Sequence, residues 1–241
     1  MVQVWEGTSR TFSEEAAISS VLRIGHRGAA GHAPENTLAA IWKARSFHAD
    51  LVEVDVRATS DGHLVLMHDE TVDRTTDKTG HVAELSLDQV QRLDAGNGQR
   101  IPTLEDTLEI TSGTIGMILE LKAEGIGSEA CAIVKRIGFS GTLIYASFLT
   151  EELHRVRQAD PLANLMVLLH RRLPRDPVAE VIAVNASHVG LHFSTVTHAL
   201  LQTYHNLERR VFAYTVNEPK DIQRLRATGI DGIVSDYPDR I

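Results

Sequence analysis

Short apolar segments alternating with helix-length amphipathic ones predict a (β/α)8 barrel, a TIM barrel, for this chain of 241 residues; the fold typically takes about 250. Two further observations support that expectation. Helix-opening signals stand between most of the apolar segments. No Gly-rich dinucleotide fingerprint follows the first strand, which disfavours the runner-up, a doubly wound open sheet.

The strand candidates after residue 20 are, in order, Val21–Gly25, Leu51–Arg57, Gly116–Lys122, Thr142–Ser147, Asn164–Leu169, His188–His192, Arg210–Val216 and Gly229–Ser235. Asn36 reads as the cap of a helix over Thr37–Phe47, and Thr150 as the cap of Glu151–Gln158. Asn217 precedes Glu218-Pro219, an ordinary helix opening. Residues 58–102 break the rhythm. Asp61-Gly62 is a turn signal, Leu64–Met67 is strand-like, and a polar stretch rich in Thr, Asp and Gly follows. That interval reads as a hairpin and a small insertion or lid after the second strand, with helical patterning resuming at Thr103–Ile110.

Composition sets the outer bounds. A chain 43% hydrophobic suits one globular barrel over residues 21–241, preceded by a segment, residues 1–20, to which the sequence assigns no role. A net charge of −8 argues against a nucleic-acid partner. The single cysteine, Cys131, excludes a disulfide framework and a Cys-rich zinc site, and its helical surroundings predict a buried thiol. No apolar run approaches the ~18 residues of a membrane span, so no stable membrane insertion is expected. Glu6, Arg10, Glu14 and Glu15 precede any hydrophobic stretch, unlike a signal peptide, and a cytoplasmic location is expected. The oligomeric state, a homo-oligomer included, stays open.

The second strand holds the strongest chemical signal. In Leu51-Val52-Glu53-Val54-Asp55-Val56, period-2 alternation points Glu53 and Asp55 to one face and the valines to the other. Two carboxylates side by side in a buried strand repel each other and lose hydration, so a hard divalent cation is the expected compensation. If the chain reverses around Ser60–Gly62, residues on the two arms pair when their numbers sum to roughly 122, which returns His68 to the level of Glu53 and Asp55. His26 closes the first strand, and Glu120 and Lys122 share one face of the third. All should meet at the C-terminal rim, where barrel enzymes place their chemistry.

Three carboxylates without cysteine suit Mg²⁺ or Ca²⁺. Two histidines beside them suit proton transfer in displacement at phosphorus, and Arg27 and Lys122 suit its anionic oxygens. Taken singly, Glu120–Lys122 is an ordinary strand ion pair, His68-Asp69 a loop turn and Asn36 a helix cap. Their shared level at predicted strand ends favours a site. Acyl transfer is disfavoured, because the chain has no Gly-x-Ser-x-Gly elbow.

These residues carry a resemblance as well. Gly25-His26-Arg27-Gly28, Pro34-Glu35-Asn36-Thr37, Glu53-Val54-Asp55, Asp61-Gly62, His68-Asp69, Arg74-Thr75-Thr76, Glu120-Leu121-Lys122, Tyr214-Thr215-Val216-Asn217 and the closing Asp231–Pro238 occur in order. The series resembles the glycerophosphodiester phosphodiesterase family. The resemblance implies a phosphodiesterase barrel with a small insertion after the second strand. It also implies hydrolysis of small-molecule glycerophosphodiesters, such as glycerophosphocholine or glycerophosphoethanolamine, to glycerol 3-phosphate and an alcohol. His26 and His68 become the acid–base pair, Glu53, Asp55 and Glu120 the metal ligands, and Arg27 and Lys122 the phosphate contacts. A cyclic phosphate formed by the neighbouring glycerol hydroxyl and direct attack by water both remain open. Tyr214 stands where the family often has tryptophan, and His192 is a candidate contact to the glycerol. The insertion lacks the family's usual aromatics at Asp94–Arg100, which leaves the head group undefined. Two rivals remain: a phospholipase acting on intact lipids, which lacks an apolar lid here, and a catalytically silent barrel, which would have lost one of the five key residues.

Overall fold

The computed structural model describes residues 21–241, so the segment 1–20 lies outside the described residues. The elements run β1 (Leu22–Gly25), α1 (Leu38–Ser46), β2 (Leu51–Ala58) and β3 (Leu64–Leu66), then a 3-10 turn at Val82–Glu84 and the short α2 (Leu87–Gln91). They continue as α3 (Leu104–Thr111), β4 (Gly116–Leu121), α4 (Gly127–Ile137), β5 (Leu143–Ser147), α5 (Thr150–Ala159), β6 (Asn164–Leu169) and α6 (Ala179–Ala183). The chain ends with β7 (His188–His192), α7 (His198–Asn206), β8 (Arg210–Tyr214), α8 (Pro219–Arg226) and β9 (Gly232–Ser235).

Leaving out β3, the strands are parallel in the order β1, β9, β8, β7, β6, β5, β4, β2, and pairing of Ile24 with Leu51 joins β2 back to β1. The sheet is therefore a closed eight-strand barrel, as the alternating pattern predicts. β3 is the exception: it pairs antiparallel on the end of β2, with Val56 opposite Leu66 and Ala58 opposite Leu64. Those partners sum to 122, the register that the Asp61-Gly62 turn sets.

Each barrel strand buries both faces, one against the barrel interior and one against the helices. Ile24, Leu51, Ile118, Ile144, Met166 and Phe212 fill the interior. Val52, Val54 and Val56 of β2 join the larger core beneath the helices with Ile41, Leu108 and Leu119. The insertion has a small core of its own from Val65, Met67, Val72, Val82, Val90 and Leu93. Cys131 is buried in α4, as its surroundings predict.

The helix caps differ from the sequence reading at two points. Thr37 caps α1, its hydroxyl accepting from the Ala40 amide. Asn36 sits one residue earlier with φ +55, and its side chain serves β2 instead. Thr150 is the first residue of α5 and caps nothing; Leu149 precedes it and donates its amide to the Ser147 hydroxyl. The last strand begins at Gly232: Gly229, with φ +79, closes the turn after α8, and the Asp231 carboxylate accepts from the Val211 amide just before the strand.

Candidate active site

β2 and β4 run in register with Asp55 opposite Glu120, so the interior-facing carboxylates of two neighbouring strands converge at the C-terminal rim. Oxygens of Glu53, Asp55 and Glu120 lie within 4.8 Å of one another. Each carboxylate is held from outside the cluster. Asp55 Oδ2 accepts from Asn36 Nδ2 at 2.8 Å, and the Asp55 amide donates to Asn36 Oδ1 at 3.1 Å. Glu53 Oε2 accepts from the Arg27 amide at 2.9 Å, and Glu120 Oε1 from Lys122 Nζ at 2.8 Å.

Two oxygens are left over: Glu53 Oε1 and Asp55 Oδ1 are buried and find no donor. Burial and the neighbouring Asp55 push the Glu53 carboxyl up to about 8, and burial likewise raises that of Glu120. Three convergent carboxylates, two with unsatisfied inward lone pairs and with burial pushing Glu53 and Glu120 toward their neutral forms, are what a hard divalent cation would relieve. The donor set fits Mg²⁺ or Ca²⁺.

Both predicted histidines stand at this cluster, and each has its Nδ1 fixed by a carboxylate. His26 follows β1, and its Nδ1 lies 2.6 Å from Asp236 Oδ1, with Nε2 4.0 Å from Glu53 Oε2. Burial pulls the His26 pKa down, but Asp236 and Glu53 outweigh it and the net shift is upward. Asp236 is itself held by Asn217 Nδ2 at 2.6 Å. His68 reaches the rim because the Met67 amide donates to the Asp55 carbonyl at 3.0 Å. Its Nδ1 lies 2.6 Å from Asp69 Oδ1. Burial is the largest influence on His68 and lowers its pKa.

Arg27 is parked among anions: its Nη1 donates to Glu35 Oε1 at 2.8 Å and its Nε lies 3.2 Å from Asp55 Oδ2. Glu35 also receives both terminal nitrogens of Arg74, whose Nε donates to Asp69 Oδ2 at 2.6 Å. The Arg74 hydrogen bond holds the Asp69 carboxyl down to about 2. A single relay thus runs from Arg27 through Glu35, Arg74 and Asp69 to His68, tying the first loop to the insertion.

Opposite the carboxylates the mouth is apolar. Phe148, Met166, Leu168, Phe212 and Tyr214 line a pocket of ≈ 40 Å³ that also touches His26, Glu53 and Glu120. Gly190 on β7 belongs to it, since a Cβ there would fall 2.4 Å from Leu168 Cδ2. Tyr214 presents its ring to the pocket, edge-on to Phe148 at 5.9 Å, while its hydroxyl turns away to the Leu169 carbonyl. His192 stands outside the pocket lining. Its Nδ1 lies 2.8 Å from the Ser194 hydroxyl, and its ring is 6.1 Å from that of Tyr214.

Of the residues singled out in the sequence, His26, His68, Glu53, Asp55, Glu120, Arg27 and Lys122 are brought together. Sequence reasoning placed Asn217 at a helix opening and gave Asp236 and the Glu35–Arg74 pair no role beyond their places in the family motifs. It read Asn36 as a cap that could also hold the first-strand loop. For Asp236 a signal existed: it directly follows the last barrel strand, at the rim that carries the chemistry.

Comparison with known proteins points the same way. Residues 26–240 match the profile of the glycerophosphoryl diester phosphodiesterase family. YhdW of Bacillus subtilis (strain 168) is 36% identical, covering 90% of this chain and 95% of its own. A glycerophosphodiester phosphodiesterase of Caldanaerobacter subterraneus subsp. tengcongensis is 32% identical over 91% of this chain and 96% of its own. Among solved structures, an Oleispira antarctica phosphodiesterase in complex with the product sn-glycerol-3-phosphate superposes with a TM-score of 0.84 at 29% identity, covering 90% of this chain and 94% of the other.

Proposed function

This chain belongs to the glycerophosphoryl diester phosphodiesterase family and is a phosphodiesterase of that kind, and from that premise we propose how its residues divide the work. The substrates are glycerophosphodiesters such as glycerophosphocholine and glycerophosphoethanolamine, cleaved to glycerol 3-phosphate and an alcohol. The observation that carries the mechanism is the matched pair of histidines, each with Nδ1 tied to a carboxylate at 2.6 Å. That tie fixes ring orientation and leaves Nε2 as the nitrogen that exchanges protons.

The Nε2 of one histidine takes the proton of the attacking hydroxyl, supplied by water or by the adjacent glycerol hydroxyl. The Nε2 of the other delivers a proton to the departing alcohol oxygen, so the alcohol leaves neutral while the phosphoryl product keeps its negative charge. Where the glycerol hydroxyl attacks, water opens the resulting cyclic phosphate in a second step to give glycerol 3-phosphate. Glu53, Asp55 and Glu120 would hold a divalent cation, Mg²⁺ or Ca²⁺, which supplies positive charge to the phosphoryl oxygens when bound. Arg27 and Lys122 lie beside the same cluster and add their charges to the anionic oxygens once a phosphate displaces their present partners. The apolar arc of Phe148, Phe212 and Tyr214 excludes water from that side.

A coupled assay for glycerol 3-phosphate release tests this. His26→Ala and His68→Ala should each lose activity by about 100-fold or more while staying folded by circular dichroism. Chelation with EDTA should abolish turnover, and added Mg²⁺ or Ca²⁺ should restore it. Full activity of either variant, or of the metal-stripped enzyme, would remove the assigned roles.

A further inference from the structure

The reaction releases an alcohol from phosphorus, and that alcohol needs room. The apolar pocket is ≈ 40 Å³, space for a few waters and not for a head group. A second opening of ≈ 410 Å³ lies where the insertion faces the loop after β4, and it shares Lys122 with the carboxylate cluster. Its walls include Arg57 at the end of β2, Glu70 and His81 of the insertion, and Glu124 after β4. The strand that supplies Glu53 and Asp55 supplies Arg57 two residues later on the same inward face.

We propose that this groove binds the leaving alcohol and selects a hydroxyl-rich head group, of the glycerol or inositol class, over a trimethylammonium one. The proposal rests on the hydrolysis reading above. Arg57 is its centre. Its Nε donates to the carbonyl of His68 at 2.9 Å, which places the guanidinium beside a catalytic histidine. Its two terminal nitrogens make no hydrogen bond among the described residues, so a donor fork is presented to whatever fills the groove. Hydroxyl oxygens accept from such a fork, and hydroxyl hydrogens can turn to the carboxylates of Glu70 and Glu124.

A choline head offers neither donor nor acceptor. It would leave the Arg57 nitrogens facing methyl groups beside a like charge, which is a penalty and not merely a missing contact. Quaternary ammonium groups are recognised by aromatic faces. Among the described residues lining the groove none is Phe, Tyr or Trp. Glu70 and Glu124 would attract any cation, but both are exposed and their fields are screened by salt.

The test compares kcat/KM of the full chain, with divalent cation, on glycerophosphoglycerol, glycerophosphoinositol and glycerophosphocholine. The first two should exceed the third by about tenfold or more, the scale of hydrogen bonds to a charged group. Arg57→Ala should collapse that ratio, and Arg57→Lys should restore part of it. An equal loss on all three substrates would mean that Arg57 acts only through His68, and the subsite is overturned. A wild-type preference for glycerophosphocholine that Glu70→Gln or Glu124→Gln removes overturns it too. If no glycerophosphodiester is turned over, the hydrolysis reading fails instead, and binding decides the groove. Free myo-inositol shifting the Arg57 Nε–Hε resonance while free choline does not would then support it; the reverse, or no shift with either, would overturn it.

Discussion

The mouth of the barrel is made of two unlike arcs. β1, β2 and β4 deliver His26, Glu53, Asp55, Glu120 and Lys122; β5 to β8 deliver Ala146, Phe148, Met166, Leu168, Gly190, Phe212 and Tyr214. On the charged arc, burial works against stability, because three carboxylates crowd within 4.8 Å and two of their oxygens are unpaired. On the apolar arc, burial works for it. On the proposed reading, one wall of a single site carries the chemistry while the other carries the packing that holds the first in place, a division that substitutions can pull apart.

The largest expected effect is on the packing side. Phe212 is 1% exposed and fills the barrel interior. Phe212→Ala should lower the unfolding free energy by about 3–5 kcal/mol, read by urea denaturation. A loss below about 1 kcal/mol would mean that the interior collapses around the gap and that the apolar arc is not the structural half. On the charged side, Glu53→Gln should do the opposite. The amide keeps an acceptor for the Arg27 N–H but removes a carboxyl that becomes a buried charge facing Asp55 above its pKa of about 8. Activity should fall by about 10²–10³, while the thermal midpoint of the chelated protein stays level or rises. A lower midpoint would show that the carboxylate stabilises the fold and would erase the contrast.

A titrating group inside the packing half sharpens the same comparison. His188 lies at the base of β7 with its ring 5.1 Å from that of Phe212. Burial is the main influence and Arg210 adds to it, with Asp231 opposing; together they lower its pKa to about 4. A free histidine titrates near 6.5, so between those values the unfolded chain binds a proton that the folded one refuses. Stability should therefore fall as pH drops from about 6.5 toward 4, by about 3 kcal/mol in all. His188→Gln should flatten that slope in the pH dependence of unfolding. An unchanged slope would place the acid sensitivity elsewhere.

The charged arc was largely legible in the sequence, and the reason is local. Alternation in Leu51–Val56 puts two carboxylates on one face whatever the tertiary structure does, and the Asp61-Gly62 turn sets a register that carries His68 back to them. The partners that aim the histidines were not legible. Asp236 meets His26 across 210 positions, a contact that exists only because β9 closes the barrel against β1. Asn36 reads as a cap because Asn before a helical pattern usually is one. A left-handed backbone turns it toward Asp55 and passes the capping role to Thr37. The head-group groove was equally hidden, since Arg57, Glu70 and Glu124 meet only when the insertion folds back over the rim.

The smallest expected effect tests whether the charged arc depends on order as well as on charge. Arg74 touches none of the carboxylates in the cluster, yet it joins Glu35 to Asp69 and so holds the ring of His68 from two residues away. If orientation of His68 matters, Arg74→Ala should lower kcat by about 10–100-fold, the usual cost of losing an outer partner of a functional ligand. KM and the thermal midpoint should barely move, because Arg74 is half-exposed and contacts no part of the proposed groove. Arg74→Lys should not rescue it. A lysine brings one point of charge and cannot hold Asp69 and both Glu35 oxygens at once. Rescue by lysine would show that positive charge near the insertion is enough and that the relay from Arg27 to His68 plays no part in aiming that histidine. A rise in KM with kcat intact would instead place Arg74 in substrate binding and move the boundary of the charged arc outward to the insertion.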